Sequence, residues 1–276
     1  MQEISKSIIK QKYLAPDETS FEERLDVIAN EVASVNTKKK SKQGSALFKK
    51  YRDLLERFSP GGRIIQNCGR NLKKTTMINC TGLNKIPDSM TGIMSSMSNL
   101  AILLQAGAGV GCNFSSLRPK NDIVKGIGGL SSGPVSFMHV ANSICKTIES
   151  SGRRGALMSI LFVSHPDIEE FITCKDKRGV LSQFNISVGI TEGFMNAVKK
   201  DEDWELFFIN ENTNEKVLYK TIRARYLWEL ILKHSYKYSE PGVVFLDNAN
   251  RLNTLYFGEE ITLVNPWTAS CGFKSV

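Results

Sequence analysis

Three apolar runs constrain this chain more than anything else in it: LMSILFV at residues 157–163, FNISVGIT at 184–191 and VVFLDN at 243–248. None alternates strictly between apolar and polar residues, as a strand with one wet face would. Continuous apolar strands are those buried on both faces, the signature of a parallel sheet covered by other structure. Stretches with helical spacing separate the runs, so helix and strand alternate along the chain. That pattern predicts an α/β architecture with mainly parallel strands.

The flanking segments fit the same scheme. Residues from about 20 to 58 read as helical, with Leu25, Ile28 and Val32 and then Leu47, Tyr51, Leu54 and Leu55 at helical spacing. A turn is predicted at SPGGR (residues 59–63), then a helix from about residue 89 to 106 that runs into AGAGVGCNFSSLR. Phe137, Val140, Ile144 and Ile148 mark another helix, with Pro134 suited to its first turn. HPDIEEFITCK is a further helix opened by Pro166 and Asp167, and Thr191 can cap the one after FNISVGIT. WELFFINENTNEKVLYKTI reads as two strands joined by a polar turn; a helix over 224–239 then stops at Glu240, Pro241 and Gly242.

Composition narrows the function class. Of 276 residues, 41% are apolar and 23% charged, an ordinary soluble balance. No run approaches the ~18 apolar residues of a membrane span, and the N-terminus lacks the pattern of a secretory signal. A cytoplasmic protein without a membrane partner is expected. The net charge of +8 is partly local, in Lys38, Lys39, Lys40, Lys42, Lys49, Lys50 and Arg52. Such a cluster can bind polyphosphates, but no aromatic stacking pattern or nucleic-acid motif accompanies it. It is read as a solvated helix face, with no direct nucleic-acid binding. The six cysteines (68, 80, 112, 145, 174 and 271) form no CxxC pair and no zinc spacing with the three histidines. No metal site is predicted, and most of these thiols, Cys145 among them, should be small buried hydrophobes.

Three stretches could carry chemistry. In QAGAGVGCN, Gly107, Gly109 and Gly111 make GxGxG after a predicted helix, which is a poor dinucleotide fingerprint. The glycines instead allow close backbone approach to a ligand, or serve a tight turn. SSGRRGA sets Arg153 and Arg154 in a glycine-flanked loop, where planar guanidiniums can engage phosphate or a base. MINCTGLNKIPDSMTGI places Cys80 at the end of an apolar run; Asp88, on residue type alone, caps the following helix with Ser89 helping.

Together with FSPGGRI, GAGVGCNFSSLRPKNDIVKG, SSGPVSFMHV, SSGRRGALMSILFVSHPDIEEFI, FNISVGITEGFM, YSEPGVVFLDNANRLN and ITLVNP, these stretches resemble the catalytic subunit of ribonucleotide reductase, most of all its adenosylcobalamin-dependent class II branch. The resemblance runs in order from Phe58 onward. It implies an N-terminal helical region (1–57) followed, over 58–266, by roughly half of a ten-stranded α/β barrel. It also implies reduction of the ribose 2′-carbon by thiyl-radical chemistry, with a cysteine pair giving two electrons and becoming a disulfide. Cys80 matches the first member of that pair, and Asn265 the asparagine of the active-site loop. Ser59, Asn79 and Gly109 match substrate contacts. Asp88, Ser89, Met90, Arg118 and Lys125 match the nucleoside-triphosphate effector site, and Arg153 and Arg154 the loop relaying effector identity to the substrate base. The implied cofactor is adenosylcobalamin. The implied partners are a ribonucleotide, a triphosphate effector, a thioredoxin-like dithiol, a separate C-terminal half and a second copy in a homodimer.

The likeness stops abruptly after Pro266. The family motif continues Cys-Gly-Glu, whereas Trp267 stands at the radical cysteine and Ala269 at the glutamate. Cys271 is four residues out of register. Residues 267–276 are therefore expected to be an unrelated tail. Tryptophan and cysteine codons share their first two bases, so read-through into an intron is one expected origin, and a frameshift or gene split another. The chain alone is expected to be inactive. The alternatives are a non-catalytic nucleotide-binding half of a split reductase and a class I large-subunit fragment.

Overall fold

The computed structural model describes residues 2–37, 45–70, 75–124, 128–148, 155–210 and 213–264. The chain divides into two compact units. The first comprises residues 1–79, 105–108 and 149–154, and the second the remainder.

The first unit is helical: α1 (Glu3–Lys12), α2 (Phe21–Thr37), α3 (Ala46–Arg57) and α4 (Gly62–Asn67). Leu25, Ile28, Ile65 and Cys68 form its core, with Tyr13, Phe21, Leu55 and Ile64 against them. Arg24 is fully buried beside this core. Its guanidinium donates to Glu18 Oε1 at 2.7 Å, to the Ile65 carbonyl at 2.7 Å and to the Cys68 carbonyl. Arg70 donates to Glu18 Oε2 at 3.0 Å and to the Tyr13 carbonyl at 2.6 Å. Burial works to raise the Glu18 pKa, but hydrogen bonds from the Ala15 amide and the two arginines together hold it below the usual range. The carboxylate thus ties the loop after α1 to both ends of the arginine pair. Ser45 caps α3 through Phe48 N, and Lys49 and Lys50 on that helix are exposed, as a solvated face requires. Lys38, Lys39, Lys40 and Lys42 lie outside the described residues.

The second unit is built on one five-stranded parallel sheet. Its strands are β1 (Cys80–Gly82), β2 (Gly109–Asn113), β5 (Leu157–Phe162), β6 (Phe184–Ile190) and β9 (Gly242–Phe245), in that spatial order. Between them run α5 (Met90–Ala106), α6 (Pro134–Thr147), α7 (Ile168–Thr173), α8 (Glu192–Lys200) and α9 (Ala224–Tyr238), and α10 (Leu246–Arg251) follows. Two antiparallel ribbons, β3–β4 (Ile123–Val124, Gly129–Leu130) and β7–β8 (Asp203–Asn210, Glu215–Arg223), project from this frame. Spatial order follows chain order without reversal. Right-handed crossovers in such a sheet put every helix on the same side, as in a barrel and unlike a doubly wound sheet.

Side chains alternate across the strands, so the sheet has two distinct faces. Val110, Cys112, Leu157, Leu161, Phe184, Ile186 and Val188 pack with the helices in one apolar core. Cys80, Gly82, Gly109, Gly111, Asn113, Asn185, Ser187 and Gly189 fall on the opposite, inner face, which is small and polar over β1 and β2 but carries Met158, Ile160 and Phe162 on β5. On α6 the buried positions are Val135, Met138, Ala141, Asn142 and Cys145, while Val140 is exposed. The helix is where its spacing predicts; Phe137, Ile144 and Ile148 pack against the core, whose deepest positions fall on the neighbouring stripe. Thr191 does cap α8, accepting from Phe194 N at 3.2 Å.

Candidate functional site

Cys80 opens β1 and pairs in register with Gly109, the first residue of β2; two residues on, Gly82 pairs with Gly111. All four are on the inner face. Cys80 and Cys174 are partly exposed, whereas Cys68, Cys112 and Cys145 are buried. Burial pushes Cys112 up to about 12, Cys145 to about 11 and Cys174 to about 12, and raises Cys68 as well. Those thiols stay protonated near neutral pH, and Cys68, Cys112 and Cys145 are the small buried hydrophobes expected.

Across the inner face runs the last described segment, residues 261–264. Asn113 at the end of β2 donates to the Thr262 carbonyl at 2.6 Å. A Cβ on Gly82 would meet Leu263 Cδ1 at 2.7 Å, and one on Gly111 would fall on the Val264 carbonyl oxygen. The segment therefore passes from Asn113 to Gly111, antiparallel to β2 and toward its Gly109 end. At about 3.3 Å per residue, Val264 lies two strand residues short of the Cys80–Gly109 level. The GxGxG pattern is thus mostly strand. Only Gly107, at φ +94°, makes a turn, where a Cβ would meet the Arg63 guanidinium at 2.5 Å.

In the first unit, Ser59 lies on the Ser59–Gly61 link against which Asn79 packs. Asn79 Oδ1 accepts from Arg63 N at 3.0 Å, and its amide packs directly over Gly61. Arg63 is buried and donates to Gln66 Oε1 at 3.2 Å.

The residues assigned to an effector gather around Arg118. Asp88 accepts from Arg118 N at 3.1 Å and from its Nε at 2.8 Å, and Arg118 also reaches the Ile123 carbonyl at 3.3 Å. This corrects the helix-cap reading of Asp88: the cap is Ser89, whose Oγ accepts from Gly92 N at 3.1 Å. Met90 is exposed beside it. Two further residues, unmarked by any sequence signal, complete the cluster. Burial pushes Tyr219 on β8 up to about 12, and Asp122, to which it hydrogen-bonds, adds to the rise. His165 joins the Arg118 loop to α7: its Nε2 contacts the Leu117 carbonyl at 2.9 Å, and its Nδ1 accepts from Asp167 N at 3.0 Å. Lys125, Arg153, Arg154 and Asn265 lie outside the described residues, as do Trp267 and Cys271.

A cavity of about 500 Å³ opens at the C-terminal strand ends, lined among others by Lys85, Ser115, His165, Phe207 and Thr262. It is of the size that takes a ligand of a few hundred daltons.

With this geometry in view, a family model described as "Ribonucleotide reductase, barrel domain" matches residues 79–268. The chain belongs to the ribonucleotide reductase family. It is 39% identical over 211 residues to the vitamin B12-dependent ribonucleoside-diphosphate reductase of Thermoplasma acidophilum, covering 76% of this chain and 27% of that protein. With the enzyme of the same name from Mycobacterium tuberculosis (strain CDC 1551 / Oshkosh) it is 34% identical over 269 residues, covering 94% and 38%. The class Id ribonucleotide reductase alpha subunit of Actinobacillus ureae superposes with a TM-score of 0.68 at 21% identity, over 91% of this chain and 41% of that one. The last likeness supports the fold: a reductase barrel, of which the parallel sheet is a part. The chain thus spans between about a quarter and two fifths of the length of these relatives. Among the described residues, no helix is long and apolar enough to cross a membrane.

Proposed function

We propose that this chain is the N-terminal, thiol-bearing and effector-binding part of a ribonucleotide reductase that acts in the cytoplasm. In this reading Ser59 and Asn79 of the first unit and Gly109 of the second are assigned to contacts with the ribonucleotide substrate. Cys80 is one of two thiols that become a disulfide, giving two electrons and two protons as the 2′-hydroxyl leaves as water. The second thiol and the radical-bearing cysteine come from a separate C-terminal half, and a thioredoxin-like dithiol resets the disulfide. The observation that carries the reading is the course of residues 261–264, which lead down the inner face toward Asn265 and toward the level of Cys80.

Asp88, Arg118 and Lys125 are assigned to a nucleoside triphosphate, the acid for ribose hydroxyls and the cations for phosphates. Arg153 and Arg154 relay its identity to the substrate base, which makes effector and substrate binding mutually strengthening. Arg118 pairs with Asp88, so a triphosphate that draws on the Arg118 guanidinium competes with that carboxylate. A second copy of the chain is the partner expected of such a subunit.

The cofactor implied by the relatives, vitamin B12 as adenosylcobalamin, does not find a seat among the described residues. The cavity of about 500 Å³ is far smaller than a corrin carrying an adenosyl group. Its histidine, His165, has both ring nitrogens engaged by the backbone and offers no ligand to cobalt. No residue of this chain is assigned to the cofactor and no step is routed through it.

The test is reconstitution. The purified chain, given adenosylcobalamin, a dithiol and a ribonucleotide, should form no deoxynucleotide. Adding a polypeptide that resumes at Cys-Gly-Glu should restore turnover, and Cys80→Ser should abolish it while leaving nucleotide binding intact. Turnover by the chain alone, or by the Cys80→Ser mixture, would overturn the proposal.

A further inference from the structure

Residues 261–264 cross the inner face without being a strand of the sheet, so something other than a ladder must hold them in register. Asn250 on α10 bonds Ile261 from both sides of its amide: Oδ1 accepts from Ile261 N at 2.7 Å and Nδ2 donates to the Ile261 carbonyl at 2.9 Å. An asparagine amide carries one acceptor and two donors, so it can stand in for the edge of a neighbouring strand. The same Nδ2 also reaches the Leu246 carbonyl at 3.1 Å, which fixes the amide to its own helix. One residue on, Asn113 Nδ2 holds the Thr262 carbonyl at 2.6 Å, while its Oδ1 accepts from Ser115 N at 2.8 Å. Each asparagine is therefore oriented by its own element before it reaches the segment.

Beyond these two grips come the glycines. Leu263 lies over Gly82, and the Val264 carbonyl over Gly111, where a Cβ on either strand would stand. A slip of one residue would move the Ile261 amide off Asn250 and turn every side chain of the segment to its other side. The two amides set register, and the two glycines set depth.

We propose that Asn113 and Asn250 are positioning residues that fix the register of residues 261–264 on the inner face, with Gly82 and Gly111 providing the groove. This rests on the reductase reading for its purpose, which is to hold Val264 at a defined level relative to Cys80. The clamp itself is a property of this chain and is tested without nucleotide. Amide hydrogen exchange is followed by mass spectrometry in the wild type, Asn113→Ala, Asn250→Ala and Asn250→Asp. Both alanine variants should speed exchange at Ile261 at least tenfold, with β5 and β6 unchanged. Asn250→Asp keeps the acceptor for Ile261 N and loses the donor, so it should fall between wild type and alanine.

A second readout reports position. In a Cys80→Ser background, Gly82→Cys with Leu263→Cys should cross-link under mild oxidation, and adding Asn113→Ala or Asn250→Ala should slow cross-linking at least tenfold. Unchanged exchange and cross-linking would overturn the clamp. So would faster exchange spread evenly through β5 and β6, which is what general loosening of the fold produces. A clamp confirmed in both measurements, in a chain that never supports reduction beside its C-terminal half, would defeat the reductase reading alone.

Discussion

Lowering the pH should unlock the loop that carries Arg118, through a single imidazole. His165 is 3% exposed, and its Nδ1 accepts from the Asp167 amide. The proton of the neutral ring must therefore sit on Nε2, where it is donated to the Leu117 carbonyl. Adding a second proton would place it on Nδ1, against an N–H that already points there, in a site with little water. Burial, the main cause, holds the His165 pKa down at about 4, against 6.5 for the free side chain. A folded pKa below the unfolded one means that the stabilisation is complete above pH 6.5 and is lost as pH falls toward 4. At about 1.36 kcal/mol per unit, that shift is worth about 3 kcal/mol at most. Asp167 and Glu240, both raised by burial, work in the opposite direction over the acid range, so the comparison must be differential. Urea unfolding of wild type and His165→Gln at pH 7.5 and 4.5 supplies it. The wild type should lose about 2–3 kcal/mol more than the variant over that interval. Imidazole resonances followed by NMR should show His165 still neutral at about pH 5.5. Equal losses in the two proteins, or titration of the ring near pH 6.5, would refute the reasoning.

Among the described cysteines, a thiol reagent at neutral pH should modify Cys80 first, because Cys112, Cys145 and Cys174 are held protonated by burial; mass spectrometry of labelled peptides identifies the site. Gly107→Ala should cost about 2 kcal/mol or more, from positive φ together with collision at the Arg63 guanidinium. Because part of that cost is the collision, Gly107→Ala made in an Arg63→Ala background should destabilise less than in the wild type, as read by denaturant midpoints. Thr191→Ala removes the acceptor for Phe194 N and should lower stability by about 1 kcal/mol, measurable in the same titrations.

What was legible in the residues, and what was not, follows from how far each signal reaches along the chain. The apolar continuity of LMSILFV and FNISVGIT is a property of each segment alone, so the doubly covered parallel sheet could be read directly. Helix α6 was legible in extent, and Phe137, Ile144 and Ile148 do pack against the core, but the most deeply buried stripe was not legible. Phe137, Val140, Ile144 and Ile148 keep helical spacing, yet so do Val135, Met138, Ala141 and Cys145, and only the β5 side of the sheet decides between the two stripes. Asp88 fails for a related reason. Its residue type before a helix suggests a cap, but its carboxylate is claimed by Arg118, 30 residues away. Asn250 and Asn113 carry no local signal at all, since one grips a residue 11 positions on and the other a residue 149 positions on. The glycines are the instructive case. A strand interior loses stability at glycine unless something else occupies the space of the missing side chain. Gly82 and Gly111, side by side on adjacent strands, are that exception made visible, because the crossing segment fills the space, with the Leu263 side chain at Gly82 and the Val264 carbonyl at Gly111. The groove is cut into two strands at matching register, so Gly82→Ala and Gly111→Ala should each displace the same crossing segment. Once it is displaced, the second substitution should cost little more, and the pair should be less than additive in the Ile261 exchange measurement.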